Sequence, residues 1–321
     1  MNKQPKIGVL TDGSLGIPSL HALLQNKLVA SIGLPDRRHD AINDIKQLTA
    51  AYHFDPVILS KPTLEQSLTR WIEDNQLDVV FVFTFPWRIP ADVLNKVRVG
   101  FFNFHFGLLP QYRGANAIFP AIKNREPYGG ITVHMMDADL DTGDILHIEK
   151  EAILPTDTYG MYSARLANLN IAVLQKILPG IFSGNINTVK QEEQNAAYYS
   201  KPVIDDISIK WELQTAEEII ALVNACNPWN KGAYTSLHDM PLRITEACIS
   251  DEISETATIG EIIKIDTNGM HVQCIGHKNI TLKIITIEEG IYSAQTFTHV
   301  CGIKSNARFK DLATLQQTSN K

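Results

Sequence analysis

Cysteine is scarce: Cys226, Cys248, Cys274 and Cys301 are the only four in 321 residues, and no two form a C-x-x-C pair. That spacing argues against a zinc ribbon or a redox dithiol and reads as reduced packing cysteines. No apolar run approaches the ~18 residues of a membrane helix, so no membrane partner is expected. The chain opens Met-Asn-Lys-Gln-Pro-Lys and runs straight into a short strand, without a secretory apolar region. It therefore reads as cytoplasmic. There is no excess of positive charge either, the formal net charge being −6. Residues 1–205 carry 19 Lys and Arg against 21 Asp and Glu, and the remainder carries 10 against 14. A large nucleic-acid partner usually needs a basic face from which counterions are released, and neither part has that composition. Internal repeats are absent, as is any low-complexity segment beyond the last few residues.

The length suggests about two domains with ample apolar content for a core. Strand-like and helix-like segments alternate in the first half: strands at 6–10, 29–33, 57–59 and 79–84, helices at 18–25, 40–52 and 63–75. The run VVFVFT at 79–84 is continuously apolar, as in a strand covered on both sheet faces. This pattern predicts an open, mostly parallel α/β sheet with ligands beyond the carboxyl ends of its strands. Gly13 and Gly16 give only G-x-x-G, which is not the dinucleotide fingerprint. A long helix at 156–178 and a polar, irregular linker at 180–199 follow. After residue 206 a helix at 216–226 leads into short strand-like runs at 232–237, 241–249, 259–265, 270–275 and 280–287, predicting a small β-barrel. Two domains are expected, 1–205 and 206–321.

The densest stretch is 101–144, FFNFHFGLLPQYRGANAIFPAIKNREPYGGITVHMMDADLDTGD. Asn103 and His105 are two apart on a strand, so both project from one face while Phe102, Phe104 and Phe106 take the other. The segment breaks at Leu109-Pro110, enters a helix at 117–122, returns as a strand at 130–136 and ends in an acidic loop. The motifs N-x-H, L-L-P-x-Y-R-G, G-x-T-x-H and L-D-T-G-D-I, in this order within about forty-five residues, resemble the folate-dependent formyltransferase family. Asn227-Pro228-Trp229 followed by Gly232-Ala233-Tyr234-Thr235 is similar to the start of a C-terminal domain in the methionyl-tRNA and amino-sugar branches. The resemblance implies a Rossmann-like N-terminal formyltransferase domain, a C-terminal OB-like barrel, and formyl transfer from 10-formyltetrahydrofolate to a primary amine.

Formyl transfer needs an oxyanion donor, a proton handler, and a group that fixes the handler's charge and orientation. Asn103 has an amide N–H₂ to donate, His105 moves protons near neutral pH, and Asp141 can stabilise its imidazolium. The resemblance implies these three as the catalytic group. It also implies a folate pocket that includes Phe85, Trp87, Arg88 and Ile89 in the loop after residue 84, with Asp137 and Asp139 in the acidic loop. An apolar slot for a pterin ring suits that chemistry. Tyr112 and Arg113 are the expected acceptor contacts, Arg113 either holding a phosphate or carboxylate or bracing its loop. His134 matches a family histidine that either lines the site or packs.

No metal is expected. Asp137-Ala138-Asp139-Leu140-Asp141 imitates the start of a calcium loop, but Thr142 and Ile148 stand where that loop needs Gly and Glu. His105, His134 and His147 lack H-x-x-x-H spacing. Departures bear on the acceptor. Pro35-Asp36-Arg37-Arg38-His39 runs directly into a helix, without the basic insertion of the methionyl-tRNA branch. Gly107 stands at a family serine position, and Asn116-Ala117 replaces Ala-Pro. The favoured partner is a small amine such as an amino-sugar nucleotide, with initiator tRNA as the alternative. Hydrolysis of the formyl donor and a non-enzymatic binding role are the remaining rivals.

Overall fold

A computed structural model describes residues 4–276 and 278–312. The chain divides into two compact units. Of the described residues, one holds those up to Ala117 together with Tyr128–Ala152 and Ser163–Tyr199; the other holds Ile118–Pro127, Ile153–Tyr162 and those from Ser200 onward. The last break thus falls at 199/200, six residues before the expected 205/206, and two earlier segments join the second unit.

In chain order the elements up to Ser183 are β1 (Ile7–Thr11), α1 (Ile17–Gln25), β2 (Val29–Pro35), α2 (Asp40–Ala51), β3 (Val57–Leu59), α3 (Leu64–Asn75), β4 (Val79–Phe83), α4 (Ala91–Leu94), β5 (Gly100–His105), α5 (Ile118–Lys123), β6 (Tyr128–Met135), β7 (Ile145–Ala152) and α6 (Tyr159–Ser183). The sheet order is β3-β2-β1-β4-β5-β6-β7. The first five strands are parallel, and β6 and β7 are antiparallel additions. Strand order reverses between β1 and β4, so the ligand crevice of such a sheet lies beyond the carboxyl ends of these strands.

Alternation along β4 and β5 separates two cores. Phe81, Phe83, Phe102 and Phe104 interlock on one face, the Phe83 and Phe104 ring centroids 4.5 Å apart. On the other face Val80, Val82 and Phe101 pack with Leu68, Trp71 and Ile72 of α3. Asn103 and His105 continue that second face beyond Phe101, where the apolar cover stops. Trp71 is buried, and its indole N–H donates to Ser31 Oγ at 2.8 Å.

The acidic-loop return strand β7 was not legible as a strand. Its half-exposed residues alternate with exposed ones, because it is the sheet's edge. Helix α6 runs through Pro179 to Ser183, five residues past the expected end. By length and composition α6 could cross a membrane. Within the first unit it buries Leu166, Val173, Leu174, Ile177 and Ile181, and its Arg165 and Lys176 pair with Glu151 and Glu149 of β7. These are the features of a core helix.

The second unit contains α7 (Ala216–Cys226), β8 (Ala233–Leu237), β9 (Met240–Ser250), β10 (Ile262–Asp266), β11 (Gly269–Val272), β12 (Asn279–Ile287), β13 (Gly290–Ser293), α8 (Ala294–Cys301) and β14 (Phe309–Lys310). The antiparallel order is β10-β11-β12-β9-β8-β14, with β13 on β12. A bridge between Glu261 and Arg308 brings the two ends of this order together, curling the sheet into a barrel. Thr215 starts α7 with a capping box, its hydroxyl accepting from Glu218 N–H while the Glu218 carboxylate accepts from Thr215 N–H.

Candidate active site

The site forms where β5, β6 and two loops of the first unit converge. Antiparallel pairing sets Asn103 opposite His134 and His105 opposite Thr132. Asn103 Nδ2 lies 3.1 Å from His134 Nε2 and 3.3 Å from Asp141 Oδ1. The His134 ring is oriented from its other side, Nδ1 donating to the Met135 carbonyl at 2.9 Å. Its Nε2 is then the acceptor for the Asn103 amide. His105 Nε2 donates to the Tyr112 carbonyl at 2.6 Å. That bond fixes the tautomer and turns Nδ1 toward Asp141 Oδ2, 3.6 Å away. The three residues expected as a catalytic group are therefore brought together, although Asp141 is 38 positions from Asn103. His134 stands between them and lines the cluster.

Asp141 itself adopts a left-handed backbone, φ 57°. An aspartate tolerates that region better than most residues, at some conformational cost. Its Oδ2 accepts the Gly114 N–H at 2.9 Å. Gly114 has φ 112°, and a Cβ there would sit 2.2 Å from the Tyr199 carbonyl oxygen, so only glycine presents its N–H in this place. Burial alone would raise the Asp141 carboxyl. At the acid pH where the carboxyl titrates, the positive charges of His105 and His134 and the Gly114 N–H outweigh it and hold the group down at about 2. Burial pushes the His105 imidazole below its ordinary value, against the pull of Asp141. The ring is thus mainly neutral at neutral pH, with an open lone pair on Nδ1 beside a carboxylate.

The loop between β5 and α5 is pinned from β6. Thr132 Oγ1 accepts Leu109 N–H at 3.1 Å and donates to the Gly107 carbonyl at 2.8 Å. Gly107 has no room for the serine of the family pattern. A Cβ would come within 2.4 Å of Ala117 Cβ and 2.9 Å of His105 Nε2.

Arg113 is fully buried, and all five of its N–H groups are spent inside the chain. Nε and Nη2 donate to Gln191 Oε1, Nη1 to Glu193 Oε2 and Tyr198 Oη, and Nη2 to Glu193 Oε1. No donor is left for an acceptor anion, so the geometry is that of the loop-bracing alternative. Tyr112 is likewise turned inward, its ring stacked on Tyr199 at 5.0 Å.

Of the expected folate contacts, Phe85 and Trp87 are half-buried and meet edge to face at 5.5 Å. Arg88 donates to Asp139 Oδ1 at 2.8 Å, tying the loop after β4 to the acidic loop. Asp137 Oδ1 accepts from Thr142 Oγ1 at 2.6 Å and Asp139 N–H at 3.2 Å, which shapes that loop. Ile89 is buried in the core cluster and anchors its loop. Thr84 opens the segment with φ 55°, unusual for a β-branched residue and a mark of a constrained turn. Among the described residues no His, Cys, Asp and Glu group is arranged to hold a metal.

Fold and site together define an α/β acyl-transfer scaffold joined to a small barrel. The comparisons give the family. The formyl transferase model matches residues 25–178, and the model of its C-terminal domain matches 204–299. The chain belongs to the formyltransferase family. It is 31% identical over 298 residues to the methionyl-tRNA formyltransferase of Legionella pneumophila subsp. pneumophila (strain Philadelphia 1), spanning 88% of this chain and 94% of that one. It is 37% identical to the Acidovorax ebreus enzyme of the same name over 205 residues, 63% of this chain and 62% of that one. Among solved structures it is similar to an N-formyltransferase from Helicobacter canadensis in complex with folinic acid and dTDP-3-aminofucose, with TM-score 0.68, 18% identity, and 90% and 100% coverage. A second is WlaRD, a sugar 3N-formyl transferase, with TM-score 0.66, 17% identity, and 88% and 98% coverage. At such identities these structures speak for the fold alone.

Proposed function

We propose that this formyltransferase moves the formyl group of 10-formyltetrahydrofolate to a primary amine, with Asn103, His105 and Asp141 as the catalytic group. The observation that carries the site reading is the convergence of the three on one buried cluster. Phe85 and Trp87, set edge to face, offer an apolar corner against which a pterin can pack, with the Arg88–Asp139 pair beside it. Bound 10-formyltetrahydrofolate supplies the formyl carbon. Asn103 donates an N–H to the formyl oxygen as negative charge gathers there, exchanging its longer bond to Asp141 for this one. His105 takes the amine proton on Nδ1, since Nε2 is closed by the Tyr112 carbonyl. Asp141 stabilises the imidazolium and relays the proton through water toward the leaving nitrogen.

For the acceptor, the near full-length likeness to methionyl-tRNA formyltransferases supports methionyl-tRNA. A second reading, a small amine such as an amino-sugar nucleotide, rests on a different observation. The connection from β2 to α2 is only four residues long, and its Arg37 is tied to the buried Asp12. The basic insertion expected to grip tRNA is absent.

The test is tetrahydrofolate release from 10-formyltetrahydrofolate, measured alone, with methionyl initiator tRNA, and with a panel of amino-sugar nucleotides. Release only with the tRNA supports the first reading, and release only with a sugar nucleotide supports the second. Turnover without any amine would replace both with hydrolysis. Asn103→Ala and His105→Ala should each lose at least about a hundredfold in turnover while staying folded. Near-normal rates in either would remove that residue from the mechanism.

A further inference from the structure

The segment after α6, read from sequence as a linker, is laced onto the catalytic loops. Val189 exchanges both backbone hydrogen bonds with Ile145 just past the acidic loop. Ala197 N–H donates to the Pro110 carbonyl, Arg113 N–H to the Ala197 carbonyl, and Tyr199 N–H to the Arg113 carbonyl. Between these two ladders stands Gln191, and all its side-chain polar groups are used. Its Nε2 donates to the Asp141 carbonyl at 2.8 Å and to the Gly143 carbonyl at 2.8 Å. Its Oε1 accepts from Arg113 Nε at 3.1 Å and Nη2 at 2.9 Å.

This single amide therefore joins the two loops that meet at the Asp141 carboxylate. One is the acidic loop that carries Asp141. The other is the Tyr112-Arg113-Gly114 turn, which supplies the Tyr112 carbonyl to His105 and the Gly114 N–H to Asp141 Oδ2. An amide suits the place because it faces carbonyl oxygens on one side and a guanidinium on the other, needing donors and acceptor at once. A glutamate would turn a carboxylate oxygen toward two carbonyls, and an apolar residue would leave the buried Arg113 N–H groups unmet.

From this arrangement we propose that Gln191 is a positioning residue for formyl transfer. It holds the Asp141 backbone in its left-handed turn, keeping the carboxylate aligned with His105 and Asn103, and Arg113 with Glu193 holds Gln191. The inference rests on the reading of Asn103, His105 and Asp141 as the catalytic group. The Gln191 amide is fully engaged within the chain, leaving no polar atom for folate or acceptor, so its replacement should affect turnover more than binding.

The experiment compares wild type, Gln191→Glu and Asp141→Asn. It reads circular dichroism, thermal midpoint, kcat and KM for 10-formyltetrahydrofolate, and the imidazole ¹⁵N signals of His105 at one fixed pH. Gln191→Glu should fold, lose about tenfold to a hundredfold in kcat, keep KM within about threefold, and shift the His105 Nδ1 signal. A folded Gln191→Glu with kcat within about twofold of wild type and an unmoved His105 signal, beside a disabled Asp141→Asn, would overturn the role of Gln191 and leave the catalytic reading intact. Wild-type turnover in Asp141→Asn would overturn the catalytic reading and this inference with it. Should Gln191→Glu not fold, Gln191→Asn keeps the amide but withdraws it by one methylene, and the same readouts and outcomes apply.

Discussion

Replacing Asp141 by asparagine separates stability from catalysis at one residue. The folded carboxyl titrates at about 2 against 3.8 for the unperturbed group. A carboxyl held down by the fold stabilises it when ionised, so its contribution is complete above the unfolded value and disappears as pH falls through the folded one. At about 1.4 kcal/mol per pH unit the contribution at pH 7 is on the order of 2 kcal/mol. It should fall by roughly half at pH 3 and vanish below pH 2. Asparagine forfeits this and sets an amide where Gly114 offers an N–H; if its N–H₂ faces that donor, a buried group is left unpaired. Denaturant unfolding of both proteins at pH 7, 5 and 3 isolates the term, since every other carboxyl is common to the pair. The wild-type advantage should be about 2 kcal/mol at pH 7 and 5 and shrink by roughly 1 kcal/mol at pH 3. Turnover at pH 7 should fall at least about a hundredfold. A constant stability gap from pH 7 to pH 3 would refute the electrostatic account of Asp141, whatever the rate did.

Gly107→Ser tests whether the departure from the family pattern is built into this chain. The new Cβ meets Ala117 and His105 at contact distances that force a shift, so the thermal midpoint should drop by the equivalent of about 1–3 kcal/mol. Turnover should fall with it, and a neutral outcome would show that the loop yields freely. Arg113→Ala removes five donors from a buried place, but Glu193 is 71% exposed and can rehydrate. The loss should therefore come from Gln191, Tyr198 and packing, about 2–4 kcal/mol by denaturant unfolding. Arg113→Lys should recover only part of it, because an ammonium cannot serve the same fork of acceptors. Full recovery would mean that charge alone matters there.

The legible parts of this molecule are those whose physics is local in sequence. Alternation along FFNFHF placed Asn103 and His105 on one face, and the continuous VVFVF run declared a strand covered on both sides. The parallel sheet followed from strand and helix segments taking turns. What escaped was set by partners far away. β7 carries Glu149 and Glu151 because it is an edge strand facing two cations of α6, so its residues never form an apolar stripe. β14 is two residues long and exists as a strand only through pairing with β8.

Arg113 shows the same limit at the site. A conspicuous arginine in a motif invites an anion, and sequence alone left bracing and binding both open. Its acceptors are 78, 80 and 85 positions away, in a stretch whose polar composition reads as linker. The useful signal was the stretch itself. A polar segment that carries glutamine, glutamate and tyrosine among aliphatic residues, directly after the helix that completes an α/β unit, has enough acceptors to satisfy a buried guanidinium. Since a buried charge must be paired, an arginine that follows a proline turn into the core implies partners somewhere in the chain. A search for them begins with segments whose polar residues otherwise have no assignment, and Gln191 lies in one.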